Sequence, residues 1–227
     1  MDLAPNIADC GFPENMSSAY GAIQRPGGDG PRDLELGKLS LALRDGTPVT
    51  IRPVDAAETA VVAQLFRLMN RIIEDGDTYP QEHPLTEEGF RAYFLAADAF
   101  VLKDAAGTVL GAFYVKPNFP GRCSHASGAA PAAGRICNGG FIVEHAQRGR
   151  GVGHALARAF LHIAPRLGYK ASMFNLVFET NTASVRLWRG AGFQEIGRVP
   201  GAGRLKGFDS PVDAIMFYYD FSTLGQA

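Results

Sequence analysis

The first clear pattern along the chain is an alternation of apolar and polar residues that a tight turn interrupts. Asp45-Gly46 divides the run, and Asp-Gly is typical of the turn of a β-hairpin. The apolar positions on either side are Leu39, Leu41, Leu43, Val49 and Ile51. We therefore predict a hairpin here and expect the folded domain to begin near Leu39.

Four segments carry the signals of helices. In the first, apolar residues recur at helical spacing and Gly76 follows where a C-terminal cap belongs. The second, TEEGFRAYFLA, predicts a shorter helix capped by Thr86. A third apolar stripe runs from Val152 to Ile163 and is expected to end at Pro165 and Gly168. The fourth, TASVRLWRGAG, predicts another short helix.

Strand-like runs lie between and after these helices. They are AFVLKD, TVLGAFYVK, ICNGGFIV, SMFNLVF and VDAIMFYYDF. Gly139 and Gly140 interrupt the third run, and paired glycines in a strand suggest a bulge or the close approach of another backbone or a ligand. Strands that alternate with helices and are flanked by hairpins predict an α/β domain with a mixed sheet.

Two segments show no helix or strand periodicity. Residues 1–36 are rich in Gly, Pro, Asp and Asn, so we interpret them as a flexible N-terminal extension. Residues 117–135 form a Pro-, Gly- and Ala-rich loop of a length that usually indicates function or disorder. The rest of the pattern fits a single domain, residues 37–227.

Charge and hydropathy narrow the classes of partner. The chain has 22 Lys and Arg against 23 Asp and Glu, whereas binding to a nucleic-acid backbone needs a surplus of basic residues. We therefore expect a small-molecule partner and no nucleic acid, and leave a homodimer open. No run approaches the roughly 18 apolar residues of a membrane span, and the N-terminus lacks a signal-peptide pattern, which predicts a cytoplasmic protein without membrane contact.

The cysteines predict neither disulfides nor a metal site. Cys10, Cys123 and Cys137 are odd in number and lack the spacing of metal ligands, which favours a reducing compartment. A metal could be shared by Cys123, His125 and Cys137, but this ligand spacing does not recur in protein metal sites. We therefore expect no metal.

The segment VEHAQRGRGVGHALARAF places glycines and arginines between a predicted strand and a predicted helix. Successive backbone N–H groups would point outward there, and glycine lacks the Cβ atom that would hold a phosphate at a distance. The dipole of the helix also favours negative charge. The turn therefore fits a diphosphate, bound by Arg148, Gly149, Arg150, Gly151, Val152 and Gly153.

This turn matches neither of two well-known phosphate motifs. A P-loop would require Gly-Lys-Ser or Gly-Lys-Thr, which does not follow here, and the dinucleotide motif would require a third glycine where His154 stands. Gly-rich turns also join many strands to helices without binding a ligand. On the turn alone, that structural alternative stays open.

A second motif further downstream makes the pattern more specific. Arg148-x-x-Gly151-x-Gly153 followed by NTASVRLWRGAGF resembles the coenzyme A signature of the GNAT acetyltransferases over roughly residues 48–221. The matching positions of the second motif are Asn181, Ser184, Leu187, Gly192 and Phe193. The resemblance implies the GNAT α/β fold, a mixed and mostly antiparallel sheet with splayed central strands flanked by helices. It also implies acetyl-CoA as co-substrate, with its pyrophosphate on the turn and its thioester beside the second motif.

The chain departs from this family at one position that matters for catalysis. The family commonly has a tyrosine whose phenol protonates the departing thiolate, whereas this chain has Trp188. An indole N–H can donate a hydrogen bond but is no practical acid at neutral pH. Glu144 and His145 lie close to the turn and are better interpreted as surface residues than as a general base. Another group must therefore stabilise the sulfur.

Several longer segments resemble the yeast N-acetyltransferases that act on azetidine-2-carboxylate and related proline analogues. These segments are DTYPQEHPLTEEGF, FYVKPNFPGRCSH, LGYKASMFNLVFETNTAS and GFDSPVDAI. The resemblance implies acetyl transfer to the ring nitrogen of a cyclic imino acid, by asparagines rather than acid and base side chains. Detoxification of an analogue and ordinary proline metabolism both remain open as the physiological role.

The same resemblance implies roles for individual residues. Asn138 would bind the substrate, as would the backbone amides of Asn175 and Leu176, which suit a carboxylate. The Phe141 N–H would polarise the acetyl carbonyl, and Asn181 would stabilise the sulfur in place of the tyrosine. Phe141, Val143, Asn181 and Trp188 would contact the cofactor together with the turn.

Each asparagine also has a purely structural interpretation, and two other functions stay open. Asn181 could only cap the following helix, Asn138 could satisfy a bulged strand, and Asn175 could be hydrogen-bonded within the sheet. The acceptor could be another small amine, such as a polyamine or an antibiotic. Without the tyrosine and an evident base, the chain could also be a non-catalytic acyl-CoA sensor.

Overall fold

The computed structural model describes residues 33–96, 98–119 and 136–224. Its helices are α1 (Thr59–Asp75), α2 (Glu87–Phe94), α3 (Val152–Arg166) and α4 (Thr182–Gly190). Its strands are β1 (Leu41–Ala42), β2 (Pro48–Pro53), β3 (Asp98–Asp104), β4 (Val109–Pro117), β5 (Ile136–Val143), β6 (Ala171–Phe178), β7 (Gln194–Gly203) and β8 (Val212–Asp220). The predictions for residues 1–32 and for most of the long loop, with Cys10, Cys123 and His125, lie outside the described residues.

The strands form one eight-stranded sheet in the order β1-β2-β3-β4-β5-β6-β8-β7. All neighbouring pairs are antiparallel except β5 and β6, which run parallel. A right-handed crossover through a helix is the usual way to join parallel neighbours, and α3 lies between these two strands in the chain. The predicted α/β fold with a mixed sheet is confirmed.

The parallel pair separates soon after it begins. Register partners are recorded only for Ile136 with Ala171 and Cys137 with Ser172, whereas β5 stays paired with β4 as far as Val143. Beyond Cys137 the two strands therefore diverge and open a gap in the middle of the sheet, which we call the splay. It confirms the predicted splayed central strands.

Helices cover both faces of the sheet. On one face, α3 and α4 pack over a core that includes Leu156, Phe160 and Trp188. On the other, α1 and α2 pack over a second core that includes Leu65, Met69 and Phe90. Burial of such apolar side chains contributes about 1.5–3 kcal/mol each. We refer to the two surfaces of the sheet as the α3/α4 face and the α1/α2 face.

The capping signals read from the sequence are present in the structure. Gly76 adopts φ 70° after α1 and its N–H bonds to the carbonyl of Ile72. Thr86 accepts a hydrogen bond from the Gly89 N–H at the start of α2. One boundary differs, because α3 passes Pro165 and ends at Arg166, with the Leu167 N–H closing the last turn on Ile163. Gly168, at φ 93°, then turns the chain.

The sequence pattern did not predict β7. Its first eight residues are exposed, and Ile196 and Val199 leave 49% and 39% of their surface in solvent. A strand without a buried face has no apolar alternation to reveal it. Pairing with β8 holds it in place instead.

The paired glycines of β5 make room for side chains, and the predicted bulge is absent. The predicted close approach of another backbone is present at Gly139, where a Cβ atom would lie 3.1 Å from the carbonyl oxygen of Tyr114. The β4–β5 register runs through both glycines without a shift. A Cβ atom on Gly139 would lie 2.9 Å from the Phe160 ring, and one on Gly140 would lie 2.4 Å from the Tyr114 ring. Aromatic packing on both faces therefore requires glycine at these two positions.

The start of the described chain packs against the domain. Leu34 and Leu36 lie against the core of the α3/α4 face, and Glu35 forms an ion pair with Arg166 at 2.8 Å. These residues belong to the segment that the sequence assigned to the extension. The boundary between residues 36 and 37 stays a prediction.

Candidate functional site

The backbone of β5 directs alternate amides into the splay. The Asn118 N–H bonds to the carbonyl of Ile136 and the Glu144 N–H to that of Leu110. In an antiparallel ladder, residues alternate between the two edges of the strand, so the even-numbered residues of β5 bond to β4. Gly139, Phe141 and Val143 therefore direct their N–H and C=O groups toward β6. In the described chain, none of these three residues is paired with a residue of β6.

The opposite wall of the splay has a break in its own register. Pairing of β6 with β8 stops at Phe174 and resumes at Val177, which leaves Asn175 and Leu176 between them without register partners. Leu176 is 39% exposed although it lies within a strand. The two residues therefore form a bulge in the pairing of β6 with β8, on the strand that borders the splay.

Asn181 lies at the point where β6 gives way to α4. Its Oδ1 accepts the Ser184 N–H at 3.1 Å and caps the helix. Its Nδ2 has no partner among the residues that the structure describes. The structural interpretation from the sequence is therefore correct for the oxygen, and the amide nitrogen is available as a donor. Both roles can coexist in one side chain.

Trp188 belongs to an aromatic cluster beneath the splay. It is 3% exposed, and its indole N–H donates to the Ser184 hydroxyl at 3.0 Å. Its ring lies 4.8 Å from that of Phe141 and 4.5 Å from that of Phe174. These contacts fix the side chain of Phe141, and thereby the strand whose amide faces the splay. A direct cofactor contact by Trp188 stays a prediction.

The glycine turn, residues 148–153, leads into the N-terminus of α3. Gly149 and Gly151 adopt φ 78° and 94°, in the left-handed region that favours glycine. The N–H groups of Val152 and Gly153 fall in the first turn of α3. The helix contains no carbonyl four residues earlier that could accept their hydrogen bonds. The Val152 side chain is buried in the core, so only its backbone can serve a ligand. The arrangement has the backbone geometry expected of an anion site, and the binding of a diphosphate there stays a prediction.

The two arginines of the glycine turn differ in their surroundings. Arg150 bonds to Gln147 and lies 3.5 Å from Asp45, while its carbonyl accepts the Arg44 N–H. These contacts hold the turn against the β1–β2 hairpin. Arg148 is exposed and has no acidic partner among the described residues. Its charge is therefore the one available to a phosphate.

Glu144 and His145 are engaged in structural contacts. The Glu144 carboxylate accepts the His145 N–H at 2.9 Å and lies 3.9 Å from Arg71. The His145 ring bonds to Asp75, at the C-terminus of α1. The two residues join the glycine turn to α1, in agreement with the sequence interpretation that neither is the general base.

Three tyrosines line the α1/α2 face beside β5. The Tyr79 hydroxyl donates to the carbonyl of Phe141 at 3.3 Å, so it reaches the edge of the splay. The hydroxyls of Tyr93 and Tyr114 lie 3.1 Å apart. Burial raises the pKa of Tyr79 and that of Tyr114 well above the ordinary range, so both remain neutral phenols at physiological pH.

Lys116 lies among these tyrosines. Its ammonium is 4.6 Å from the centre of the Tyr93 ring and 4.8 Å from that of Tyr114. Desolvation by burial lowers the pKa of Lys116 to about 8, because an apolar environment disfavours the charged form. We call Tyr79, Tyr93, Tyr114 and Lys116 the tyrosine patch.

Three asparagines meet next to the tyrosine patch. Asn118 and Asn175 form a reciprocal amide pair, with hydrogen bonds of 3.0 and 2.6 Å, and Asn118 is 6% exposed. Asn138 is the register partner of Lys116, and its Oδ1 accepts the Gly139 N–H at 2.8 Å. Structural roles therefore exist for the Asn175 side chain and for the Asn138 oxygen. The Asn138 amide nitrogen has no partner among the described residues.

Sequence reasoning missed Lys116, Asn118 and Tyr93. All three belong to this region only because the sheet brings β4, β5 and β6 together and α2 packs across them. The signal that could have identified them was alternation in β4, where Tyr114 and Lys116 share a face with the position of Asn118. A lysine within the otherwise apolar TVLGAFYVK run was the visible anomaly.

The described residues show no sign of a metal site, a reactive thiol or a membrane-spanning helix. No cluster of three or more His, Cys, Asp or Glu residues is arranged to hold a metal ion. Cys137 is buried, and burial raises the pKa of its thiol far above the ordinary range. No helix of the described chain has the length and apolar character to cross a membrane.

Comparisons with known proteins match the chain to acetyltransferases. Residues 64–193 match the model of the acetyltransferase (GNAT) family. The N-acetyltransferase aca1 of Schizosaccharomyces pombe is 40% identical over 184 residues, which span 74% of this chain and 83% of the relative. A solved GCN5-related N-acetyltransferase from Kribbella flavida is 32% identical with a TM-score of 0.66, and the match covers 76% of this chain and 97% of that one.

A more distant structure shares the fold alone. The phosphinothricin acetyltransferase of Sinorhizobium meliloti, solved in complex with acetyl-CoA, is 20% identical with a TM-score of 0.62. The match covers 76% of this chain and 88% of that protein.

Proposed function

The chain belongs to the acetyltransferase (GNAT) family, and from that premise we propose that it transfers acetyl from acetyl-CoA to the ring nitrogen of a small cyclic imino acid. Azetidine-2-carboxylate and the hydroxyprolines are the acceptors we have in mind. That the chain is an acetyl-CoA-dependent acetyltransferase follows from the family itself. The identity of the acceptor is the proposal.

The observation that carries the proposal is the register break of β6. It makes a bulge of Asn175 and Leu176 on the strand that borders the splay, and bulges often re-aim groups next to active sites. Two adjacent N–H groups suit a carboxylate, since an ionised acceptor strengthens each hydrogen bond. A compact amino acid could be held there with its nitrogen directed into the splay.

The α3/α4 face would hold the acetyl donor. The N–H groups at the start of α3 and the Arg148 guanidinium would bind the diphosphate of acetyl-CoA. Gly149 and Gly151 let the backbone approach it closely, and Gly153 leaves space in the first helical turn. Acetyl-CoA supplies the activated acetyl group, and the residues of the chain orient it in the splay.

Backbone and amide donors would then serve the reacting atoms. The Phe141 N–H, directed into the splay, would donate to the acetyl oxygen as charge develops on it. The Asn181 Nδ2 would donate a hydrogen bond to the sulfur. Asn181 would thereby take the role of the tyrosine that the chain lacks. Such a preorganised donor is worth about 10²–10³ in rate. The Asn138 Nδ2 and the carboxylate contacts would orient the substrate nitrogen for attack.

The charge of the α1/α2 face favours an amino acid over a polyamine. Lys116 brings a cation to the face where the acceptor would bind, and a polycation would be repelled by it. A zwitterionic imino acid gains from the same charge through its carboxylate. Acetylation removes the basicity of a proline analogue, so detoxification is the role we assign to the reaction.

Release of CoA thiol from acetyl-CoA, measured with a panel of acceptors, tests the proposal. The panel is azetidine-2-carboxylate, proline, the hydroxyprolines, spermidine and a lysine peptide. We expect turnover with cyclic imino acids only. Turnover confined to spermidine or the peptide would refute the assignment, and acetyl-CoA binding without any turnover would indicate a sensor.

A further inference from the structure

We propose that the Lys116 amine accepts the proton that the bound acceptor must lose before it attacks the acetyl group. This inference rests on the proposed function, because it concerns the same site and assumes an amine acceptor. A cyclic secondary amine is protonated at neutral pH and has no lone pair to attack with. The family resemblance supplied no acceptor for this proton, and Glu144 and His145 are tied to Arg71 and Asp75.

The position of Lys116 is the first argument. Lys116 is the register partner of Asn138, and Tyr114 is that of Gly140. Because the ammonium lies over the Tyr114 ring, the lysine side chain extends along β4 from the level of Asn138 toward that of Gly140. The neighbouring residue, Phe141, directs its amide into the splay. The amine therefore lies on the face that carries the Asn138 side chain, next to the tyrosine ring that packs on Gly140.

The contacts around the amine are the second argument. Tyr93 comes from α2 and Tyr114 from β4, and the ammonium lies 4.6 and 4.8 Å from the centres of their rings. Aromatic faces stabilise an ammonium without supplying a negative charge, so the amine can hold or release a proton. The lowered pKa of Lys116, about 8, leaves roughly a tenth of the molecules neutral at pH 7, as the titration of a single group requires.

The proton transfer and the bond changes balance. The ring nitrogen of the substrate ammonium gives one proton to neutral Lys116, and its lone pair then attacks the acetyl carbon. A C–N bond forms, the C–S bond breaks, and the sulfur leaves with the bonding electron pair. The sulfur takes the remaining proton from the ring nitrogen, and Lys116 returns its proton to water. Each turnover therefore releases one proton.

A pH profile separates this mechanism from proton loss to water. With Lys116 as acceptor, the active form has neutral Lys116 and protonated substrate. We expect kcat/KM for azetidine-2-carboxylate to rise with pH to an inflection near the lysine pKa of about 8. It should fall again near the pKa of the amine, about 10 for ordinary alkylamines. A rise that continues without an inflection up to the pKa of the amine would overturn the proposal.

Two substitutions sharpen the test. Lys116→Arg keeps the positive charge but cannot release a proton near neutral pH, and Lys116→Gln removes the charge. A general base contributes about 10²–10⁴ in rate, so we expect kcat to fall at least 100-fold in both variants and the inflection near pH 8 to disappear. Lys103→Arg on the neighbouring β3 is the matched control and should retain the wild-type profile.

The alternatives give different results. If Lys116 only anchors the carboxylate, Lys116→Arg would keep kcat and Lys116→Gln would mainly raise KM, and that pattern would overturn the proposal. Acetyl-CoA binding by each variant, measured by calorimetry, establishes that the variant is folded. If one variant does not fold, the other variant decides together with the wild-type profile. Lack of wild-type turnover with any cyclic imino acid would instead count against the proposed function.

Discussion

The glycine turn and the tyrosine patch differ in how the chain assembles them. The glycine turn consists of six consecutive residues on the α3/α4 face, and its chemistry comes from its backbone conformation and from the Arg148 side chain within it. The tyrosine patch on the α1/α2 face comes from α2, β4 and the segment after α1, and the neighbouring asparagines add β5 and β6. The first depends on local geometry and the second on the register of the sheet. Binding of the donor should therefore tolerate changes that abolish recognition of the acceptor.

Substitution of Asn181, which lies between β6 and α4, should have the largest effect. Asn181→Ala removes the donor to sulfur, and we expect turnover to fall about 10²–10³-fold. It also removes the cap of α4, at a cost of about 1 kcal/mol in stability. Steady-state kinetics and urea denaturation measure the two effects separately.

Asn181→Ser is the matched control for this pair of roles. Serine can still cap the helix but lacks an amide nitrogen. Its turnover should be as low as that of the alanine variant, while its stability stays near that of the wild type. Wild-type turnover in Asn181→Ser would show that the amide serves the helix alone.

Changes within the glycine turn should separate folding from donor binding. Gly151 has φ 94° and a Cβ atom there would lie 3.0 Å from the Arg44 backbone nitrogen, so Gly151→Ala should cost about 1–2 kcal/mol. At Gly153 the added Cβ would meet only Leu187, at 3.5 Å. Gly153→Ala should fold normally, yet bind acetyl-CoA about tenfold more weakly because the methyl group obstructs the diphosphate.

Isothermal titration with acetyl-CoA and thermal unfolding of both variants check this prediction. Unchanged acetyl-CoA affinity in Gly153→Ala would mean that the turn is only a connection between strand and helix.

The amide pair between Asn118 and Asn175 should couple the two sides of the splay. Each single alanine substitution leaves its partner unsatisfied, at a cost of about 1–3 kcal/mol. The double substitution should cost less than the sum of the two, with a coupling of about 0.5–3 kcal/mol. Urea denaturation of the four proteins measures the cycle, and strict additivity would exclude the coupling.

The sequence predicted the region whose chemistry is local. The glycine turn, the cap at Asn181 and the elements that carry them follow from motif, spacing and glycine conformation. It did not predict Lys116 over Tyr93, or Asn118 paired with Asn175, because residues far apart in the chain meet only through strand register. It did not predict β7 because that strand buries no face. The role of Gly140 likewise depends on the Tyr114 ring, which belongs to the adjacent strand.

Lys116 should also cause a pH dependence of stability. Its pKa is about 8 in the folded chain against an ordinary value of 10.5, so between these pH values the unfolded chain binds more protons. The free energy of unfolding contributed by this group therefore rises with pH through that interval and is constant below it. Lys116→Met should lack this rise. The difference in the free energy of unfolding between the wild type and this variant should therefore change with pH. A difference that stays constant from pH 7 to 10 would contradict the buried position of the amine.

The most direct test of the account compares azetidine-2-carboxylate with azetidine, which lacks the carboxylate. If the bulged backbone at Asn175 and Leu176 holds that carboxylate beside the splay, its removal leaves these donors unpaired. Sites built around such hydrogen bonds discriminate strongly against analogues that lack the group. We expect kcat/KM for azetidine to be at least about 100-fold lower, with acetyl-CoA affinity unchanged. Equal kcat/KM for the two amines would contradict the account, because the β6 register break would then have no part in recognition of the acceptor.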